Sequence, residues 1–135
     1  MINKSLGYTV ELRFTLDKYP LKITEILGLN PTNWSSEISR RPKGAGLWAY
    51  NGHHENGFKE EWGSLDEGFR FILEKIRPIK KEIITISKRH EAIWWCGCFY
   101  VSLNESFIIS SEVIGEIAEY GLPLFFDNYF SENIE

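Results

Sequence analysis

Lysine and arginine are missing from the last third of the chain. After Arg89 neither occurs, while Glu91, Glu105, Glu112, Glu116, Glu119, Asp127, Glu132 and Glu135 all follow. Positive charge collects instead at Arg40, Arg41 and Lys43 and along Arg77, Lys80, Lys81, Lys88 and Arg89. The formal net charge of −4 argues against a nucleic-acid binder, because neutralising phosphates takes clustered cations. Cysteine is almost absent, with Cys96 and Cys98 alone. In an extended strand these two point to one face with too little chain between them for an ordinary structural disulfide. Reduced thiols in a cytoplasmic protein are therefore expected. No segment approaches the roughly 20 uninterrupted apolar residues of a membrane helix. The opening residues carry one lysine and no apolar run after it, so neither a signal peptide nor membrane association is expected.

The patterns that carry chemistry are also missing. Gly44-Ala45-Gly46 lacks the lysine and the following helix of a phosphate-binding loop. His53, His54, Cys96 and Cys98 are the obvious soft-metal ligands, but their spacing matches no zinc pattern, and a buried cysteine is more often a small hydrophobe. A nucleophilic thiolate needs an electropositive setting, whereas these thiols sit between tryptophan and phenylalanine. The expectation is no catalytic residue, no metal and no cofactor.

Aromatic residues are what the chain does have, at 15% of 135 residues, with five Trp, six Tyr and nine Phe. Tyr8, Val10, Leu12, Phe14 and Leu16 alternate with Thr9, Glu11, Arg13 and Thr15, the period of a strand with one buried face. Ile23, Ile26 and Leu27 fall at helical spacing, and Gly28 and Pro31 end that helix. Residues 30–46 read as a long irregular loop, with a short strand at 47–50 and a second loop at 51–57. Ser64 and Glu67 form a capping box before the apolar stripe Leu65, Phe69, Ile72, Leu73 and Ile76, and Pro78 kinks the helix that follows. Ile93 to Val101 is apolar on both faces, as in a central strand covered on both sides. Ser110 caps a third helix, with Ile109 and Ile114 placed as a hydrophobic staple, and Leu122 to Phe130 is the last strand. The length suits one domain over residues 1–135. The expected fold is α+β: a ferredoxin-like antiparallel sheet with helices 21–27, 65–89 and 111–120 mainly on one face, the central one long and kinked.

Two groups of side chains invite a functional reading. Alternation puts Glu11 and Arg13 on the polar face of the first strand and Asp127 with Tyr129 on one face of the last. On one open sheet they form a polar cluster flanked by aromatics; the plainer reading is an ion pair on a solvated face. Glu112, Glu116 and Glu119 lie on one side of the third helix, a pattern that is by default a solvated face. With no cation in that third of the chain, the stripe points to an external basic partner, which such charge would steer. Trp34, Arg41 and Trp48 in the loop region are the accompanying candidates for partner contact.

The first strand, then Ile23-Thr24-Glu25-Ile26-Leu27-Gly28-Leu29-Asn30-Pro31-Thr32, Trp34, Trp62-Gly63-Ser64-Leu65 and the ending from Ile117 to Phe130 together resemble a bacterial family, domain of unknown function four-two-seven-nine. The resemblance implies a small bacterial cytosolic protein, similar to domains found among immunity proteins of toxin systems, and carries over no catalytic residue. The expected function is a non-catalytic protein-binding domain, an immunity-type inhibitor whose partner is a basic toxin domain. The alternatives are a small-ligand or regulatory domain using an aromatic sheet face and, behind it, a single-stranded RNA binder on the same face.

Overall fold

The computed structural model describes residues 7–16, 21–35, 46–101 and 106–131. Strand β1 (Gly7–Leu16) leads to helix α1 (Leu21–Leu27) and strands β2 (Asn33–Ser35) and β3 (Gly46–Tyr50). Helix α2 (Leu65–Ile76), a 3-10 turn at Arg77–Ile79 and helix α3 (Lys80–Ser87) then lead to β4 (Glu91–Tyr100), helix α4 (Ser111–Ala118) and β5 (Leu124–Phe130). The five strands form one sheet in the order β2-β3-β1-β4-β5. No helix among the described residues is long and apolar enough to cross a membrane.

The α+β class follows from the residue pattern. In β1, Tyr8, Val10, Leu12, Phe14 and Leu16 are buried and the residues between them are not, as the period-two alternation dictates. These side chains meet the stripe Leu65, Phe69, Ile72, Leu73 and Ile76 of α2, all at most 1% exposed. Ser64 starts α2 by accepting a hydrogen bond from the Glu67 N–H (3.0 Å), and the Glu67 carboxylate accepts one from the Gly63 N–H (3.1 Å), satisfying amides that the helix itself leaves unpaired. Pro78 converts the middle of the long helical segment into the 3-10 turn rather than a smooth bend. Gly68 lets α2 settle on β1, because a Cβ there would come within 2.9 Å of Val10 Cγ2 and 3.0 Å of Trp62 Cδ1.

Three details differ from expectation. The sheet is mixed: β1 pairs antiparallel with both β3 and β4, and β2 with β3, but β4 and β5 run parallel. The chain between β4 and β5 returns through α4, and a crossover of that kind brings the next strand in parallel. Next, β4 is central but covered on one face only, where Ala92, Trp94, Cys96 and Cys98 are buried, while Ile93, Trp95 and Phe99 stay half-buried. Finally, Ser110 caps α4 as expected, accepting from the Val113 N–H (3.2 Å), but Ile114 is 48% exposed and Ile26 is 54% exposed. The staple does not draw Ile114 inward, and α1 buries Ile23 and Leu27 without Ile26.

Candidate functional site

On the face of the sheet away from the helices, strand register decides which side chains become neighbours. Glu11, Trp95 and Phe125 stand in one row across β1, β4 and β5; Thr9, Gly97 and Asp127 form the next; Gly7, Phe99 and Tyr129 the third. Residues two apart share this face, so Arg13 joins the same array. Its Nε donates to Glu11 Oε1 at 2.7 Å, with the two side chains 29% and 16% exposed. The guanidinium carbon lies 4.1 Å from the centre of the Trp95 ring. That contact combines a fixed cation with the negative face of an indole and uses one of the five Arg13 donors. Gly97 makes room for it: a Cβ there would meet Trp95 Cη2 at 2.8 Å and Thr9 Oγ1 at 2.5 Å. The Thr9 hydroxyl is buried and has no hydrogen-bond partner among the described residues.

The other half of the array lies along β5. Tyr129 donates from its hydroxyl to Asp127 Oδ2 at 2.7 Å, and its ring stacks on Phe99 with centroids 4.9 Å apart and planes 10° from parallel. Phe125 is 50% exposed and Tyr129 43%. The structure therefore brings Glu11, Arg13, Asp127 and Tyr129 onto one open face, in two pairs either side of β4. Trp95, Gly97, Phe99 and Phe125 complete the array and were missed by sequence reasoning. Their signal was the odd-numbered register of β4 and β5, read as covered because both faces of β4 are apolar.

The family assignment agrees with this architecture, since the family model spans β1 to the end of β5, residues 7–131. The chain belongs to the family described as domain of unknown function DUF4279. No curated protein and no solved structure matches it.

The acidic stripe is placed otherwise than expected. Glu112 receives a hydrogen bond from Arg70 Nη2 (2.8 Å), Glu116 a two-pronged one from Arg77 (2.6 and 2.9 Å), and Glu119 one from Lys80. The basic partners missing from the last third are supplied by α2, the 3-10 turn after it and α3. Arg77 beside Glu116 holds that carboxyl below the usual range, and Glu112 and Glu116 raise the already high pKa values of Arg70 and Arg77.

Trp48 is likewise no exposed anchor. It is 0% exposed, pairs in register with Phe14, and donates from Nε1 to Thr24 Oγ1 at 3.0 Å. The backbone of Trp34 pairs with Trp48 across β2 and β3; its side chain and the whole of Arg41 lie outside the described residues. Cys96 and Cys98 are free and buried on the helix-covered face. Burial pushes the Cys96 thiol up to about 12 and raises Cys98 as well, the opposite of an activated nucleophile.

The second loop forms a compact turn. Asn51 Oδ1 accepts from Thr32 Oγ1 and the His53 N–H, both at 2.9 Å. His54 adopts φ 75° and its ring lies 4.0 Å from that of His53. A cavity of about 500 Å³ separates this turn from residues 28–32, with Tyr50 and Glu55 on its wall. Among the described residues, no group of three His, Cys, Asp or Glu converges as metal ligands.

Proposed function

We propose that this DUF4279 chain is a non-catalytic protein-binding domain of the bacterial cytoplasm, and that its partner is a toxin it neutralises in the manner of an immunity protein. The observation that carries the binding role is the open sheet face, where Trp95, Phe99, Phe125 and Tyr129 lie beside the Arg13–Glu11 pair. Aromatic side chains and arginine are the commonest anchors of protein interfaces. Here the arginine is already held by Glu11 and Trp95, so little rotamer freedom is lost when a partner arrives. The acidic stripe of α4 contributes less to this role than the sequence implied, because its carboxylates are engaged by Arg70, Arg77 and Lys80. The immunity-type assignment rests on the family likeness and the small size of the chain.

Replacing Phe125 by a photo-crosslinking phenylalanine tests both parts. The expected result in the native host is an adduct with one protein that does not form from position 114, on the helix side. That protein, expressed alone, arrests growth, and co-expression of the wild-type chain restores it while the Trp95→Ala chain does not. Equal adducts from both positions would remove the sheet face as the binding surface. A harmless partner would remove the immunity role.

A small-ligand or regulatory role is the second reading. It is favoured by the polar cavity between residues 28–32 and the His53-His54 turn, where His54 holds a left-handed backbone that costs a non-glycine residue of order 1 kcal/mol or more.

A further inference from the structure

Helix α3 carries two kinds of cation. Lys80, like Arg77 just before the helix, is paired with a glutamate of α4. Lys81 and Arg89 lie round the helix on the side that faces α1, and neither forms an ion pair among the described residues. A cation just past the C-terminal end of a helix, such as Arg89, offsets the partial negative charge there, but in the first turn, where Lys81 stands, the macrodipole disfavours it. Helix electrostatics therefore account for one of the two and not the other.

These side chains frame a cleft of about 310 Å³ between α1 and α3. Its apolar surface is Ile86, 5% exposed, and Ile26, left 54% exposed on a helix whose other isoleucine is buried. Lys81 stands at one end and Arg89 with His90 at the other, with Glu82 the one acid among the described lining residues. Lys81 and Thr85 follow at i and i+4 on one face of α3, and Arg89 comes in the turn directly after its last residue, Ser87. At about 1.5 Å per residue along α3 and the turn that continues it, the backbones of Lys81 and Arg89 are about 12 Å apart. An extended chain rising about 3.3 Å per residue places residues four apart about 13 Å from each other on one face, with the residue midway between them on that same face.

We propose that the α1–α3 cleft docks an extended acidic peptide segment of a partner protein. Two acidic side chains four residues apart pair with Lys81 and Arg89, and the apolar side chain midway between them seats on Ile26 and Ile86. This cleft lies on the helix side, away from the open sheet face, and does not depend on the role proposed for that face.

The probe is a blocked, fluorescein-labelled five-residue peptide with glutamate at both ends, leucine at the centre and serine between, followed by fluorescence anisotropy. Saturable binding is expected, weakening about tenfold or more in K81E/R89E, as removal of two steering charge pairs requires. Ile26→Ser, a change at an exposed position, weakens it independently, and both effects shrink or grow with salt as ion pairing and apolar contact respectively demand. R13E/W95A on the sheet face leaves peptide affinity unchanged. The proposal is overturned if wild-type protein shows no saturable binding, if K81E/R89E binds equally well, or if a peptide with its glutamates adjacent binds as tightly. Octanoate binding as tightly as the peptide would make the cleft a site for small amphiphilic carboxylates and overturn it as well.

Discussion

A methyl group at position 97 tests how tightly the open face is assembled. Its Cβ would fall 2.5 Å from Thr9 Oγ1 and 2.8 Å from Trp95 Cη2, and neither neighbour is the loose end of a flexible chain. Gly97→Ala is expected to cost about 1–3 kcal/mol, the usual range for overpacking, and to move Trp95 off Arg13. Urea denaturation reads the first effect and the tryptophan emission maximum the second; an unchanged midpoint would mean that the indole swings away freely. The buried hydroxyl and thiol groups supply a pH prediction. Cys96 and Tyr120 are neutral when protonated, and burial raises them from 9.0 and 10.0 to about 12. Their contribution to stability is whole below pH 9, where both folded and unfolded chains keep their protons. It is lost as pH rises from about 9 to 12, because the unfolded chain releases protons that the folded one retains. Denaturation midpoints should fall over that window, and more shallowly in Cys96→Ala. Which residues of β1 face outward was legible in the sequence, because alternation alone decides it. The fate of Trp48 was not, because only its pairing with Phe14 sends it to the core.

Among the elements, α4 owes its position to three charged contacts as well as to Val113, Ile117 and Tyr120. Arg70, Arg77 and Lys80 meet Glu112, Glu116 and Glu119 in the same order along the two segments. A single exposed pair of this kind contributes about 0–1 kcal/mol, so Glu116→Gln should cost less than about 1 kcal/mol. Reversing all three glutamates to lysine is a different matter, since it sets three like-charge contacts between packed helices. E112K/E116K/E119K is expected to lower the urea midpoint clearly at low salt and less at high salt. Adding R70E/R77E/K80E should restore it. A triple reversal as stable as wild type would mean that the pairs are ornaments of a helix held by its apolar side alone. The sequence made the stripe legible and hid its partners, which lie about forty residues earlier. A separation of thirty residues likewise hid the parallel pairing of β4 with β5, which depends on where α4 crosses. Local signals fared better: Ser64 and Ser110 cap the helices they announce, and Pro78 interrupts the long one where its missing N–H requires.

At the scale of the whole molecule, folding cancels much of the imbalance written along the chain. The acidic third lies against the basic middle, which leaves Lys81 and Arg89 at the α1–α3 cleft without an ion pair among the described residues, and an aromatic face with few charges on the other side of the sheet. The two faces should therefore respond separately to substitution. E112Q/E116Q/E119Q raises the formal net charge from −4 by three without touching the sheet face. The glutamates lie on the helix-covered side of the sheet, and exposed charges separated by more than about 8 Å are largely screened at physiological salt. Association of a partner with the sheet face should then change by less than about threefold in rate. Trp95→Ala removes the ring that holds Arg13 and should slow or weaken the same association by at least about tenfold, the effect of losing a central anchor. Surface plasmon resonance against the protein crosslinked at position 125 separates the two variants. If the glutamine variant loses binding and Trp95→Ala keeps it, the partner docks on the helices and the sheet face is ordinary exposed surface.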